Sequence, residues 1–248
     1  VGKVIVITGA GSGLGRNVAK RLASDGDTVI LLGRTLSKIE DAAKEAGSTA
    51  VAIQCDITSP DSVRAAFARI AALHPRIDVL INNAGVYQPL ILKEATDEQI
   101  HDHVMTNLAG TIYCSRAAIP MMERGGHIIN VGSESVDMPF PMFTMYRSTK
   151  AGMEKFSETL HDELKPDGIR VTVIRCGAMM GEHVSVGWAA DPAIAGRFHQ
   201  ACLKAGIDLA NDPISNFASV ASVFRSVIDL PSDVNIPHVT LEGFRAVA

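Results

Sequence analysis

Cysteine is scarce in this sequence: four in 248 residues, at Cys55, Cys114, Cys176 and Cys202, with no C-x-x-C pair. That spacing excludes a disulfide-stapled secreted scaffold and leaves the cysteines suited to a reducing compartment. Aromatic residues are also few, at 5% with a single tryptophan. No uncharged apolar run approaches the roughly 20 residues that cross a bilayer, and the chain enters a strand pattern at once instead of a signal-peptide core. A surplus of positive charge is absent too: 23 Lys and Arg stand against 27 Asp and Glu, for a net charge of −4. No basic block offers a landing strip for a nucleic-acid backbone or anionic lipid. The expectation is a cytoplasmic protein with neither nucleic acid nor membrane as partner.

What is present is an ordinary globular composition, 47% hydrophobic and 20% charged, at a length that suits one α/β unit. β-branched runs recur at Val4–Ile7, Val29–Leu32, Val51–Ile53, Val79–Ile81, His127–Val131, Val171–Ile174 and His238–Leu241, predicting seven strands. Between them, apolar residues at three- and four-residue spacing predict helices, among them Gly13–Ser24, Leu36–Ala46, Pro60–Leu73 and Glu98–Met122. Alternation of the two implies α/β class: a doubly wound parallel sheet, apolar on both faces, with right-handed helical crossovers. No repeat or linker divides the chain, so residues 1–248 read as a single domain. Residues 177–211 break the period with Gly, Met, Trp188 and Asp191-Pro192, and read as a substrate-binding lid.

The first strand runs into Thr8-Gly9-Ala10-Gly11-Ser12-Gly13-Leu14-Gly15 and then a helix. Gly9 permits a tight turn, Gly13 lets backbone approach a pyrophosphate, and Gly15 lets helix pack on strand, while the helix N-terminus offers N–H groups to phosphate. The spacing is T-G-x-x-x-G-x-G, which differs from the usual G-x-G-x-x-G. Asn82-Asn83-Ala84-Gly85 follows the fourth strand, and Tyr146-x-x-x-Lys150 lies downstream.

Taken in order, these motifs resemble the short-chain dehydrogenase/reductase family in its compact single-domain form, with a Rossmann-like sheet. The resemblance spans nearly the whole chain. It implies a catalytic set of Asn107, Ser133, Tyr146 and Lys150: tyrosine as acid/base, lysine as its activator and ribose anchor, serine as polariser of the substrate oxygen, asparagine in a proton relay. Ser135 competes with Ser133, which is preferred on spacing. The residues themselves point the same way. A phenol with a pKa near ~10 gains about 3 units of acidity from an ammonium about 4 Å away at an effective dielectric of ~20, so Tyr146 is expected to move toward ~7.

The cofactor-binding expectations are Gly9, Gly11, Ser12, Gly13, Leu14 and Gly15 for phosphate, with Asp56 and Ile57 at the adenine. Asn83, Ala84 and Gly85 lie under the ribose, Tyr146 and Lys150 serve again, and Gly177 stands beside the nicotinamide. Gly33 occupies the position where NAD-using relatives carry an acid, and Arg34 follows it with a planar donor fork suited to a 2′-phosphate. NADP is therefore expected over NAD. Cys176-Gly177 replaces the relatives' Pro-Gly, and Gly181 replaces their threonine. The C-terminal Leu230–Ile236 stretch looks like the branch holding serine and 3-hydroxy-acid dehydrogenases.

The function expected is NADP-dependent interconversion of a ketone or aldehyde with an alcohol. Its rivals are a short hydroxy-acid dehydrogenase and a catalytically idle nucleotide sensor or scaffold. Met138, Phe140, Met142, Phe143, Met179, Met180 and Trp188 are expected to border an apolar pocket. No metal is expected, and a homotetramer is the expected assembly.

Overall fold

The computed structural model describes residues 2–184 and 187–244; at Gly187 and Trp188 only the backbone is described. The pocket position expected of the Trp188 side chain therefore lies outside what is described. In chain order the elements are β1 (Val4–Thr8), α1 (Gly13–Ser24), β2 (Thr28–Gly33), α2 (Leu36–Ala46), β3 (Ala50–Gln54), α3 (Pro60–Leu73) and β4 (Val79–Asn82). The second half brings α4 (Asp97–Val104), a π turn (Met105–Ala109), α5 (Gly110–Ala118), β5 (His127–Ser133), α6 (Thr144–Leu164) and β6 (Arg170–Cys176). The last are β7 (Met179–Met180), α7 (Pro192–Lys204), β8 (Ser215–Asn216), α8 (Phe217–Ile228) and β9 (His238–Leu241).

All seven expected strands form, and they pair in parallel in the order β3-β2-β1-β4-β5-β6-β9. Ile5, Val6 and Ile7 of β1 are fully buried, as a strand covered on both faces requires. One core layer joins alternate strand residues such as Ile5 and Ile7 to α1 and α8 through Leu22 and Phe224. The opposite layer joins Val6, Ile30 and Leu80 to α3, α5 and α6 through Phe67, Cys114 and Leu160. The four cysteines are free and buried.

Two sequence expectations are revised. Glu98–Met122 is not one helix: the π turn at Met105–Ala109 separates α4 from α5. Asp191-Pro192 does not interrupt structure but starts it, because Asp191 caps α7 through the N–H groups of Ala193 and Ile194 and Pro192 occupies the first turn. Phe198 and Cys202 of that helix join Phe143 and Ile207 in one small apolar cluster. No helix among the described residues is long and apolar enough to cross a membrane.

The chain builds β1 to β3 toward one edge and then returns to lay β4 beside β1. Strand order reverses there, and a crevice opens beyond the carboxyl ends of the strands.

Candidate functional site

That crevice is a cleft of about 1590 Å³, and nearly every residue expected from the sequence lines it. Gly9, Gly11, Ser12, Gly13 and Leu14 follow β1; Gly33 and Arg34 close β2; Asp56 and Ile57 follow β3; Asn83, Ala84 and Gly85 follow β4. Ser133, Tyr146, Lys150 and Gly177 line the other half. Gly15 and Asn107 do not line it and lie buried.

The glycine-rich turn is shaped by backbone need. Gly9 has φ of 65°, and a Cβ there would stand 2.8 Å from the Ala84 Cα; Gly13 has φ of 50°. Ser12 makes no side-chain cap at the α1 N-terminus. Thr8, whose role the sequence reading left unassigned, holds the neighbouring loop: its Oγ1 accepts the N–H groups of Asn83 and Ala84, each at 3.0 Å. The Asn83 side chain completes this cross-link by donating to the carbonyls of Thr8 and Gly9. From the segment after β7, the His183 carbonyl accepts the Gly13 N–H at 3.0 Å.

Beside β2, Arg34 and Lys38 both border the cleft, and Lys38 is a cation that sequence spacing did not single out. Asp56 Oδ1 accepts the N–H and hydroxyl of Thr58 at 3.0 and 2.8 Å, so it works first as a turn-former.

At the other end, Ser133 closes β5 and Tyr146 lies one turn before Lys150 on α6. The Ser133 hydroxyl hydrogen-bonds Tyr146 and lies 2.9 Å from the Ser135 hydroxyl, whose backbone N–H also donates to it at 3.2 Å. Both serines, the alternatives weighed in the sequence, thus belong to one buried pair. Arg147 binds the Ser135 and Val136 carbonyls and fixes this loop on α6. Lys150 Nζ donates to the Val131 carbonyl at 2.6 Å and stands 5.9 Å from the centre of the Tyr146 ring.

Electrostatics depart from the expectation. Burial pushes the Tyr146 phenol up to about 12, against a smaller lowering by the Ser133 bond, and burial brings Lys150 down to about 8. The sequence argument placed the ammonium about 4 Å from the phenol oxygen and omitted desolvation, which dominates here.

Asn107 sits in the π turn and spends its side chain on three bonds: Oδ1 accepts the Val86 N–H, and Nδ2 donates to the Val86 carbonyl and to Thr149 Oγ1. It thereby ties the loop after β4 to the helix carrying Lys150. One turn beyond Lys150, buried Glu154 takes two bonds from Arg175 at 2.8 and 2.6 Å, and Arg175 also pairs with Asp137. The Glu154–Arg175 pair was not legible in advance, since the partners lie 21 residues apart on different elements.

Aromatic rings wall the site. Phe143 stacks on Phe198 at 4.9 Å and meets Tyr146 edge-on at 5.3 Å, and Tyr87 lies 6.2 Å from Tyr146. Away from the cleft, Glu45, Glu182 and His183 bring possible ligand atoms within 4.8 Å of one another, but Glu45 is already bonded to Arg16 and Lys20.

Comparison with known proteins agrees with this geometry. A family profile described as short chain dehydrogenase matches residues 3–187. An NADP-dependent 3-hydroxy acid dehydrogenase of Salmonella typhi is 34% identical over 244 residues, covering 96% of this chain and 94% of the relative. Among solved structures, a closed serine dehydrogenase complexed with NADP+ superimposes with a TM-score of 0.80 at 27% identity, covering 99% of this chain and 98% of the other. A short chain dehydrogenase of Burkholderia cenocepacia in complex with NADP gives 0.82 at 26% identity, covering 98% and 96%.

Proposed function

Because the chain belongs to the short-chain dehydrogenase/reductase family of oxidoreductases, we propose that it interconverts a ketone or aldehyde with an alcohol using NADP(H), with Tyr146 as acid/base. The observation that carries this reading is the Tyr146–Ser133 hydroxyl pair opening into the cleft with Lys150 on the next helical turn.

The residues present fit a dinucleotide. The positive-φ Gly9 and Gly13 leave room for a pyrophosphate at the α1 N-terminus, where the Gly13 N–H is held by the His183 carbonyl and would have to be released to meet it, and Arg34 with Lys38 can meet a 2′-phosphate. When bound, NADP(H) supplies or accepts the hydride. In the reductive direction the Tyr146 hydroxyl would give its proton to the carbonyl oxygen as that oxygen becomes an alkoxide. A phenol held near 12 carries this proton throughout the neutral range. Ser133 orients the oxygen, and Ser135 orients Ser133. Lys150 favours the phenolate left after transfer and can anchor the ribose. Asn107 serves as a positioning residue, and its place in the relay would fall to its carbonyl, which accepts the Thr111 hydroxyl at 3.3 Å.

A second reading, a hydroxy-acid dehydrogenase, is favoured by the full-length similarity to the Salmonella relative. The sensor or scaffold reading loses ground because Asn107, Ser133, Tyr146 and Lys150 are all in place. The test is NADPH oxidation across a ketone and aldehyde panel, with Tyr146→Phe as control; a protein that binds NADPH and turns over none of the panel overturns the proposal.

A further inference from the structure

Three consecutive residues at the end of β5 each receive a group from outside the strand. The Val131 carbonyl accepts Lys150 Nζ at 2.6 Å, and the Ser133 hydroxyl hydrogen-bonds Tyr146. Gly132, between them, supplies space: a Cβ there would stand 2.8 Å from Val173 Cγ1 and 3.1 Å from Glu154 Oε1. The parallel register sets Arg175 of β6 directly against Gly132. Into that space the buried Glu154 carboxylate, one turn beyond Lys150, takes two bonds from the Arg175 guanidinium, Nε to Oε1 at 2.8 Å and Nη2 to Oε2 at 2.6 Å. Such a fork fixes orientation as well as distance. The remaining arm of Arg175 pairs with Asp137, on the loop that follows Ser133. One guanidinium therefore joins α6, β6 and the loop after β5 around the groups that move the proton.

The surroundings of Lys150 give Glu154 a second task. Burial lowers the lysine first, and the Cys176 thiol of β6 and then the Glu154 carboxylate oppose that lowering. Other polar groups packed around it are engaged elsewhere: Tyr146 on Ser133, Arg147 on the Ser135 and Val136 carbonyls, and Glu134 on the Ala178 N–H. From α4, His103 faces the Gln99 carbonyl and the Gln88 N–H, and Asn107 of the π turn carries no charge.

Resting on the reductase reading above, we propose that Glu154 and Arg175 are positioning residues for proton transfer: the pair locks α6 onto the end of β5, and Glu154 serves Lys150 as its counter-charge. Both act through Lys150 and Ser133. With the fork closed, Ser133 keeps its place against the phenol, and Lys150 keeps its charge beside the phenolate that proton transfer leaves behind. A buried ion pair adds little net stability, because desolvating two charges offsets their attraction, so the contribution here is one of geometry and field.

The test reads Lys150 directly, by an NMR pH titration of the full chain carrying isotope-labelled lysine, with the Lys150 signal assigned by its loss in Lys150→Met. Beside it runs the alkaline limb of ketone reduction with NADPH. Glu154→Gln should lower the Lys150 titration by about one pH unit or more, and the limb should move with it. Glu154→Asp, which keeps the charge, should restore most of the shift. Asp27→Asn breaks a comparably buried pair with Arg225 away from the cleft, and should lower stability while moving neither readout. If Glu154→Gln does not fold, Glu154→Gln with Arg175→Gln carries the test, since it leaves no lone buried cation; its Lys150 titration should also lie below that of the parent. A Lys150 titration unmoved by loss of the Glu154 charge, or lowered equally by Asp27→Asn, overturns the inference and leaves the reductase reading standing. A titration that moves as expected in a protein reducing no ketone upholds the pair and overturns the reductase reading.

Discussion

Lys150 stands one helical turn beyond Tyr146, yet its ammonium is bonded to the Val131 carbonyl and not to the phenol. The two groups are therefore tuned by burial in opposite directions, the phenol upward to about 12 and the ammonium downward to about 8. Each shift disfavours charge, which is what a desolvated site does to an acid and a base alike.

For catalysis, Tyr146→Phe should retain NADPH binding and lower turnover by about 100-fold or more, the range expected for loss of an acid/base. Lys150→Ala should damage both binding and turnover. The pH profile should show the reductive rate falling above about pH 8, where Lys150 gives up its proton. Turnover by Tyr146→Phe close to that of the parent removes tyrosine from the mechanism.

Cofactor choice should favour NADPH over NADH by at least about tenfold, the equivalent of about 1.4 kcal/mol from an exposed Arg–phosphate contact. Arg34→Ala together with Lys38→Ala should erase that preference. Introducing an acid at Gly33 is a poorer test alone, because a Cβ there would lie 2.7 Å from the Ile39 Cγ2. Gly33→Asp needs Ile39→Ala beside it. Equal efficiency of the unmodified protein with both cofactors refutes the assignment.

Assembly is the third expectation. Val104 at the end of α4 is exposed and Leu108 of the π turn is half-buried, which leaves apolar surface beside α6 for a partner helix. A homotetramer should appear in light scattering at four times the 26.3 kDa chain mass. A species of single-chain mass at micromolar concentration ends this idea.

Stability should depend on His127. Buried at the start of β5, its ring is held at about 3 by desolvation and then by Arg170, well below 6.5. Below about pH 6.5 the unfolded chain takes up this proton and the folded one does not. Stability is therefore full above that pH and declines as pH falls toward 3, at up to about 1.4 kcal/mol per unit. His127→Leu should flatten that part of a denaturation series measured against pH.

The strands were legible because parallel strands covered on both faces must be continuous β-branched runs, and Val4–Ile7 or Val171–Ile174 can be little else. The glycine turn was legible for a related reason, since φ at Gly9 and Gly13 admits few other residues. Helix α7 was not, because Asp191-Pro192 ends most periodic patterns and only capping geometry shows that it begins one. Nor could spacing reveal that Glu98–Met122 is broken, as a π turn leaves apolar residues at nearly the same intervals. The Tyr146 shift was misjudged because depth is a tertiary property. Glu154 and Arg175 meet only when α6 docks on β6.

The π turn at Met105–Ala109 amounts to one surplus residue in an otherwise regular helical path. Removing a single residue there would restore ordinary i→i+4 backbone pairing through the turn. The helix would gain regularity, while Asn107 would lose its hold on Val86 and Thr149. At this position the chain gives up a regular hydrogen-bond ladder for the cross-link that Asn107 makes between the loop after β4 and α6, so a change that only regularised the helix would cut that link.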